Sequence, residues 1–273
     1  MLKSNFFLVG ITLLGLGCSL SFAEQKTSEK KPQSAPDSIK QVSTENDFSA
    51  RFNKLPTKTK EKYAQLWSEM QFQIQGGNNL GILQTTDKLE EEIGNNPSIF
   101  NIRGATYLKL KEIEKSKENF TKACELAPMN ESFQFNLAET FFVSHEYKKA
   151  IKMFDALLSQ IKQSKEPNLL TKSLIQFKIF LCYTKLGDKE KAAELSKLYS
   201  IHDDTPFYYC TKGVNEQEAG NKSAAQKSFL AAMNIYGMDG MYQPFADSLT
   251  ETGFIDSIEG PTVPIPPPSP EKK

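Results

Sequence analysis

The chain has 273 residues and carries 33 basic and 33 acidic side chains, so its formal net charge is zero. Proteins that bind nucleic acids usually show a basic excess or a basic stripe, so this balance argues against a nucleic-acid partner. With 39% hydrophobic and 24% charged residues the composition is that of a globular protein, and the length allows one or two domains.

The N-terminus has the pattern of an export signal. Lys3 precedes an almost unbroken apolar run over residues 6–16, which is too short to span a bilayer comfortably. Ser21 and Ala23 supply the small residues that signal peptidase recognises, and cleavage there would leave Glu24 first. The sequence therefore predicts a signal peptide over residues 1–23 and an exported protein of the periplasm or cell envelope, or a secreted one.

Cys18 offers a second interpretation of the same segment. Gly17 precedes it directly, as in a lipid-attachment site, although Gly15 stands where such signals usually have leucine. A lipid on Cys18 would hold the protein at a membrane surface. We expect a membrane association only in that case.

Three cysteines remain after cleavage at Ala23, and they are Cys124, Cys182 and Cys210. There is no CxxC pair and no Cys/His cluster, so we predict no metal and no other cofactor. An odd number of thiols in an oxidising compartment allows one disulfide and one free thiol, and Cys182 with Cys210 is the favoured pair. The alternative is that all three are small buried apolar residues.

Two polar segments flank a helical region. Residues 24–56 are rich in Ser, Thr, Gln, Lys and Pro and predict a disordered polar tether, and residues 259–273 predict a proline-rich disordered tail. Over residues 57–258 apolar side chains recur every three or four positions, which indicates helices. The first such set is Tyr63, Leu66, Met70 and Ile74.

A repeat of about 34 residues runs through the helical region. Its clearest pair of copies is Gly104, Tyr107, Ser116, Phe120 and Ala123, followed 34 positions later by Ala138, Phe141, Ala150, Phe154 and Leu157. Small residues let two antiparallel helices approach closely, and the aromatic side chains fill the space beside them. One helix pair cannot bury its own apolar face, so neighbouring pairs must stack.

This pattern of small and aromatic residues resembles the tetratricopeptide repeat family, in its exported bacterial type. The resemblance implies an all-α fold, a right-handed α-solenoid of about five helix pairs plus a C-terminal capping helix. The capping helix is expected around Phe245, Ala246 and Leu249, because Ala246 lies 33 positions after Gly213. No second helix can follow it, since Gly260 and Pro261 interrupt the chain.

The resemblance also implies that the first helix of each pair lines a concave surface. We expect this surface to be a groove that binds a protein or peptide partner, and its predicted residues are Phe135, Glu139, Phe142, Val143, Phe177, Leu181 and Phe207. The alternative is that these side chains pack within the array or against the chain's own C-terminal helix.

No catalytic motif accompanies the repeats. The sequence has only two histidines, and it lacks a nucleophile elbow, a phosphate-binding glycine loop and a metalloprotease motif. We therefore predict a non-enzymatic protein-interaction scaffold of the bacterial envelope. The alternatives are a lipoprotein subunit of an outer-membrane or pilus assembly machine and a non-catalytic accessory module of a cell-wall enzyme.

Overall fold

The computed structural model describes residues 44–161 and 168–256, and within these ranges it contains twelve α-helices and no strand. The predicted signal peptide, Cys18 and the proline-rich tail lie outside the described residues. The helices are α1 (Thr44–Asn53), α2 (Thr57–Gln75), α3 (Asn79–Ile93), α4 (Pro97–Lys109), α5 (Ile113–Leu126), α6 (Glu131–Val143), α7 (Tyr147–Ile161), α8 (Leu169–Leu186), α9 (Lys189–Leu195), α10 (Phe207–Glu218), α11 (Lys222–Tyr236) and α12 (Gln243–Glu251).

Five helix pairs form antiparallel hairpins, which confirms the predicted all-α repeat architecture. The pairs are α2–α3, α4–α5, α6–α7, α8–α9 and α10–α11, and α12 follows them as a single terminal helix. The chain forms two compact units, Met1–Pro167 and Asn168–Lys273. The first unit holds α1 and three hairpins, and the second holds two hairpins and α12.

Side-chain caps fix where several helices begin. The side chains of Asn78, Asn96, Asn130, Asn168 and Asp188 each accept a hydrogen bond from a backbone N–H in the first turn, at 2.8–3.2 Å. Such a cap satisfies a donor that the helix itself leaves without a partner and stabilises the helix by about 1 kcal/mol. The caps therefore set the boundaries of α3, α4, α6, α8 and α9.

The first helix, α1, corrects the predicted boundary of the polar tether at residue 56. Phe48 and Leu55 pack against the core cluster of α2, α3 and α4, and the Phe52 ring lies 5.0 Å from that of Tyr63. Arg51 also donates a hydrogen bond of 2.5 Å to the carbonyl of Asn95. The folded part of the chain thus includes α1 from Thr44 onward. A few aromatic residues within a polar stretch suffice to anchor this helix.

The α4–α5 hairpin depends on a close approach at Gly104. A Cβ atom on Gly104 would lie 2.9 Å from Cδ1 of Phe120, which is fully buried. Since real Cβ contacts are essentially never that short, only glycine allows α4 to lie this close to the Phe120 ring. The small residue and the aromatic of the sequence repeat are thus in direct contact.

An ion-pair triad joins successive hairpins of the first unit. Glu146, at the turn before α7, accepts hydrogen bonds from Lys117 of α5 and from Lys149, the latter at 2.5 Å. These two ammonium groups lower the pKa of Glu146 to about 2. The triad therefore stays ionised at neutral pH, and it links α5 to the start of α7.

The second unit is built around the long helix α8 of 18 residues. Its hairpin partner α9 has seven residues, and residues 196–206 then lead to α10. A π-helical turn, Gly237–Met241, separates α11 from α12. Within the described residues, no helix combines the length and the apolar character that crossing a membrane requires.

Replacing Gly104 by alanine tests the close crossing. We expect Gly104→Ala to lower the melting temperature, because overpacking costs about 1–3 kcal/mol and outweighs the roughly 0.5–1 kcal/mol that alanine gains in a helix. The matched control is Gly76→Ala at the exposed end of α2, where the new Cβ would meet the carbonyl oxygens of Phe72 and Gln73 at an ordinary 3.5 and 3.9 Å. Equal melting shifts for the two variants, measured by circular dichroism, would contradict the assigned crossing.

Candidate functional site

The predicted groove residues of the first unit all lie on α6 and are largely buried. Phe142 is 1% exposed and meets the ring of Tyr147 at 6.2 Å, and Glu139 is 6% exposed. Phe135 is half-buried against the Phe154 ring at 6.0 Å, and Val143 packs partly buried against a core cluster. Phe142 therefore belongs to the core, and only Phe135 and Val143 retain partly accessible side chains among these four.

A pair of amides connects the first helices of two successive hairpins in this unit. Asn136 of α6 donates a hydrogen bond of 2.8 Å to Oδ1 of Asn101 in α4, and both residues are at most 8% exposed. A buried amide that has a partner is stabilising, whereas the same amide without one would be costly. The pair thus fixes the alignment of α4 and α6.

The predicted groove residues of the second unit form an aromatic cluster. Phe177 and Leu181 of α8 and Phe207 of α10 are all fully buried. The Phe177 ring lies 6.0 Å from Phe180 and 6.1 Å from Phe207 in an edge-on arrangement. These separations are within the range of favourable aromatic pairs. Phe177 and Phe207 are thus in contact between α8 and α10, and none of the three residues is solvent-accessible.

The C-terminal segment is what covers this face of α8. The Phe245 ring of α12 lies 5.1 Å from the Phe177 ring, and Phe245 is fully buried. Farther along α8, the Lys185 ammonium lies 4.1 Å from the centre of the Phe254 ring. Of the two interpretations that the sequence left open for these residues, packing against the chain's own C-terminal helix is the one found in this unit.

The predicted disulfide is not formed in the structure. The side chains of Cys182 and Cys210 are both fully buried and carry thiols, and the Cys124 thiol is partly buried. Burial raises the pKa of Cys210, and burial together with the nearby Glu125 carboxylate raises the pKa of Cys124 to about 12. The thiols of Cys124 and Cys210 therefore stay protonated at neutral pH, which suppresses their reactivity as nucleophiles.

Sequence reasoning missed two buried residues of the C-terminal segment. Tyr242 is 3% exposed, and its burial together with the neighbouring Cys210 raises its pKa. Phe254 is 5% exposed and lies beyond the end of α12. The signal was the apolar spacing of Tyr242, Phe245 and Leu249, which places one side of a short helix against a neighbour.

Two surface depressions carry mainly polar side chains. One follows α5 and includes Glu114, Lys117 and Glu125, and the other follows α10 and includes Lys212 and Glu216. Small-molecule sites are usually enclosed and mostly apolar. Neither depression has that character, so the aromatic face of the second unit is the stronger candidate site.

Comparison with known proteins identifies the repeat. The family model of the tetratricopeptide repeat matches residues 97–130, which comprise α4, α5 and the turn after them, and this confirms the resemblance for that segment. No curated protein matches the sequence.

Several solved structures are similar to this chain. A crystal structure of the MamA protein has 20% identity and a TM-score of 0.49, and the match covers 64% of this chain and 91% of that one. A thermophilic tetratricopeptide repeat protein of Thermus thermophilus has 18% identity and a TM-score of 0.44, with 67% and 98% covered. An O-GlcNAc transferase mutant of Thermobaculum terrenum has 13% identity and a TM-score of 0.41, with 67% and 28% covered.

Truncation of Phe177 tests its place at the centre of the aromatic cluster. We expect Phe177→Ala to destabilise the second unit by about 3–5 kcal/mol, as is usual for a buried phenylalanine. Phe72→Ala is the matched control, because Phe72 is 76% exposed and a surface change is usually within about 0.5 kcal/mol. Denaturant unfolding followed by circular dichroism measures both, and a Phe177 variant as stable as the Phe72 variant would refute the assignment.

Proposed function

We propose that this protein is a scaffold that binds another polypeptide through the first helices of its repeats. One observation carries this proposal: a helix of the chain itself, α12, already lies against α8, with Phe245 on Phe177. A face that accepts one helix through aromatic contacts has the shape and chemistry to accept another. A few buried aromatic residues usually dominate the energy of such an interface.

Partly accessible apolar side chains on α6 of the first unit also support this proposal. Phe135 and Val143 on α6 are partly accessible, so they can contribute apolar contacts to a bound segment. The buried Asn101–Asn136 pair holds α4 and α6 in register, and this keeps the contact positions fixed. Rigid positioning favours binding, because less side-chain and backbone freedom is lost on association.

We further propose that the scaffold acts in a bacterial envelope, after export directed by residues 1–23. Mass spectrometry of the native protein tests this, and we expect a mature chain that begins at Glu24. A mature chain that begins at a lipid-modified Cys18 would overturn this cleavage site. It would instead favour the lipoprotein subunit of an outer-membrane or pilus assembly machine.

Position-specific photo-crosslinking in native cells tests the binding surface. A photoreactive phenylalanine analogue replaces Phe135 on α6 or Gln217 on α10, and both are first helices of their pairs. We expect the same polypeptide to be captured at both positions.

The control positions are Lys152 on α7 and Lys227 on α11, which are exposed and belong to second helices. These positions should capture that polypeptide much less. Equal capture from first and second helices, or capture from second helices alone, would contradict the proposed surface.

A further inference from the structure

The terminal helix α12 does not pack mainly on α11, the last helix of the hairpin before it. In the first unit, the helix that opens a new hairpin packs on the last helix of the previous one, as α6 does on α5. The main contacts of α12 are instead with α8 and with the π-helical turn Gly237–Met241. The chain thus turns back, and α12 reaches the first helix of an earlier hairpin in the same unit.

Phe245 makes the aromatic contact of α12 with α8, and it belongs to a set of buried apolar residues on α12. Phe245, Ala246 and Leu249 are all fully buried, and Phe245 and Leu249 lie one helical turn apart on the same face. Phe254, just beyond the helix, adds a second aromatic against Lys185 of α8. An aromatic residue and a leucine four positions later are therefore the apolar pattern that α12 buries in this unit.

The covered side of α12 also carries polar residues. Ser248 is fully buried and Thr252 is 5% exposed, and both hydroxyl groups donate to backbone carbonyls one turn back, each at 2.7 Å. Gln243 likewise donates to Asp247 within the helix at 2.8 Å. These hydrogen bonds stay intact if the helix moves as a unit, so its release need not break them.

The connection to α11 has the geometry of a hinge. Gly237 has φ of 74°, and Gly240 departs from helical geometry with φ of −117° and ψ of −136°. Apart from the adjacent residues and nearby backbone of the same turn, no atom lies within 4 Å of the place where a Cβ would stand on either glycine, so no other part of the protein packs there. Hinges are short segments of this kind, which absorb the change in backbone angles while the flanking helices stay rigid.

The short length of α12 also favours a helix that can be displaced. It has nine residues, and isolated helices shorter than about 12–15 residues are marginal in water. Its order therefore depends on the face of α8 that it covers. A competitor that takes this face would remove the support that keeps α12 in place.

We propose that the face of α8 bearing Phe177 is a partner-binding groove, held closed by α12 as an internal ligand. Its external ligand is an amphipathic helix of the same chemistry, with an aromatic residue and a leucine one turn apart. This inference rests on the proposed scaffold function and adds a competition to it. A tethered ligand on a short linker has an effective concentration in the millimolar range, so an external helix enters only by displacing α12.

A labelled synthetic peptide of residues 242–256, added to the full-length chain, tests the proposal by fluorescence anisotropy. The double variant Phe245→Ala/Leu249→Ala removes the anchors of α12 and frees the groove. We expect this variant to bind the peptide at least about tenfold more tightly than the unmodified chain, because the internal competitor is lost.

Two controls isolate the effect. A control peptide in which alanine replaces Phe245 and Leu249 should bind neither the variant nor the unmodified chain. The chain variant Leu230→Ala/Ile235→Ala removes two exposed apolar residues from α11, and it should bind the peptide as weakly as the unmodified chain. A released variant that melts cooperatively yet does not bind the peptide would overturn the proposal.

Hydrogen exchange of the unmodified chain decides the outcome if the released variant fails to fold. We expect the amides of α12 to exchange through a local opening, faster than those of α8 and α10. Exchange of all three helices at the single rate of global unfolding would show that α12 is a fixed part of the core. The proposal that α12 is a displaceable internal ligand would then be wrong. Selective photo-crosslinking at Phe135 and Gln217 would still support the scaffold function.

Discussion

Close contact between a small residue and an aromatic ring is the constraint on which the repeats depend. A Cβ on Gly104 would lie 2.9 Å from Phe120, and one on Gly213 would lie 2.4 Å from Phe229. The first pair belongs to α4–α5 and the second to α10–α11, so each unit contains the same arrangement. The ring fills the space that the glycine leaves, and this fixes both the separation and the rotation of the paired helices. Every other feature is built on hairpins of this geometry.

Hairpins of this kind always leave an apolar face at each end of a stack. The N-terminal side is covered by α1, whose Phe48 and Phe52 continue into the ring contacts of Tyr63 and Trp67. Each ring lies 5.0–5.8 Å from the next, so α1 is anchored by side-chain packing.

The sequence predicts most of the hairpin architecture, because the repeat shows directly which positions must be small and which aromatic. About five pairs were expected from the family resemblance, and the repeat spacing predicted a terminal helix near Phe245. The helix α1 was not predicted, because the polar mean composition of residues 24–56 conceals the two phenylalanines that anchor it. The register also could not show how deeply Phe142 is buried.

The pairing of the thiols and the occupant of the groove needed information that a repeat register does not contain. Cys182 and Cys210 lie on neighbouring helices, but forming a disulfide depends on a specific separation and direction of two Cβ atoms. The position of α12 depends on the backbone angles at Gly240, where the chain departs from helical geometry. Neither quantity can be read from the spacing of apolar residues.

The position of α12 also indicates whether this helix only ends the stack or occupies a binding face. A helix that served only to end the stack would be expected to cover the outer side of α11, the last helix of the last hairpin. Instead Leu230 and Ile235 of α11 remain 40% and 57% exposed, while α12 lies against the fully buried Phe177 of α8. Single exposed apolar residues are common, and their cost is small. On α8 the Phe245 ring of α12 meets the Phe177 ring at 5.1 Å, within the range of favourable aromatic pairs. Because the face of α8 that bears Phe177 binds a helix of its own chain, we expect that a partner helix can also bind it.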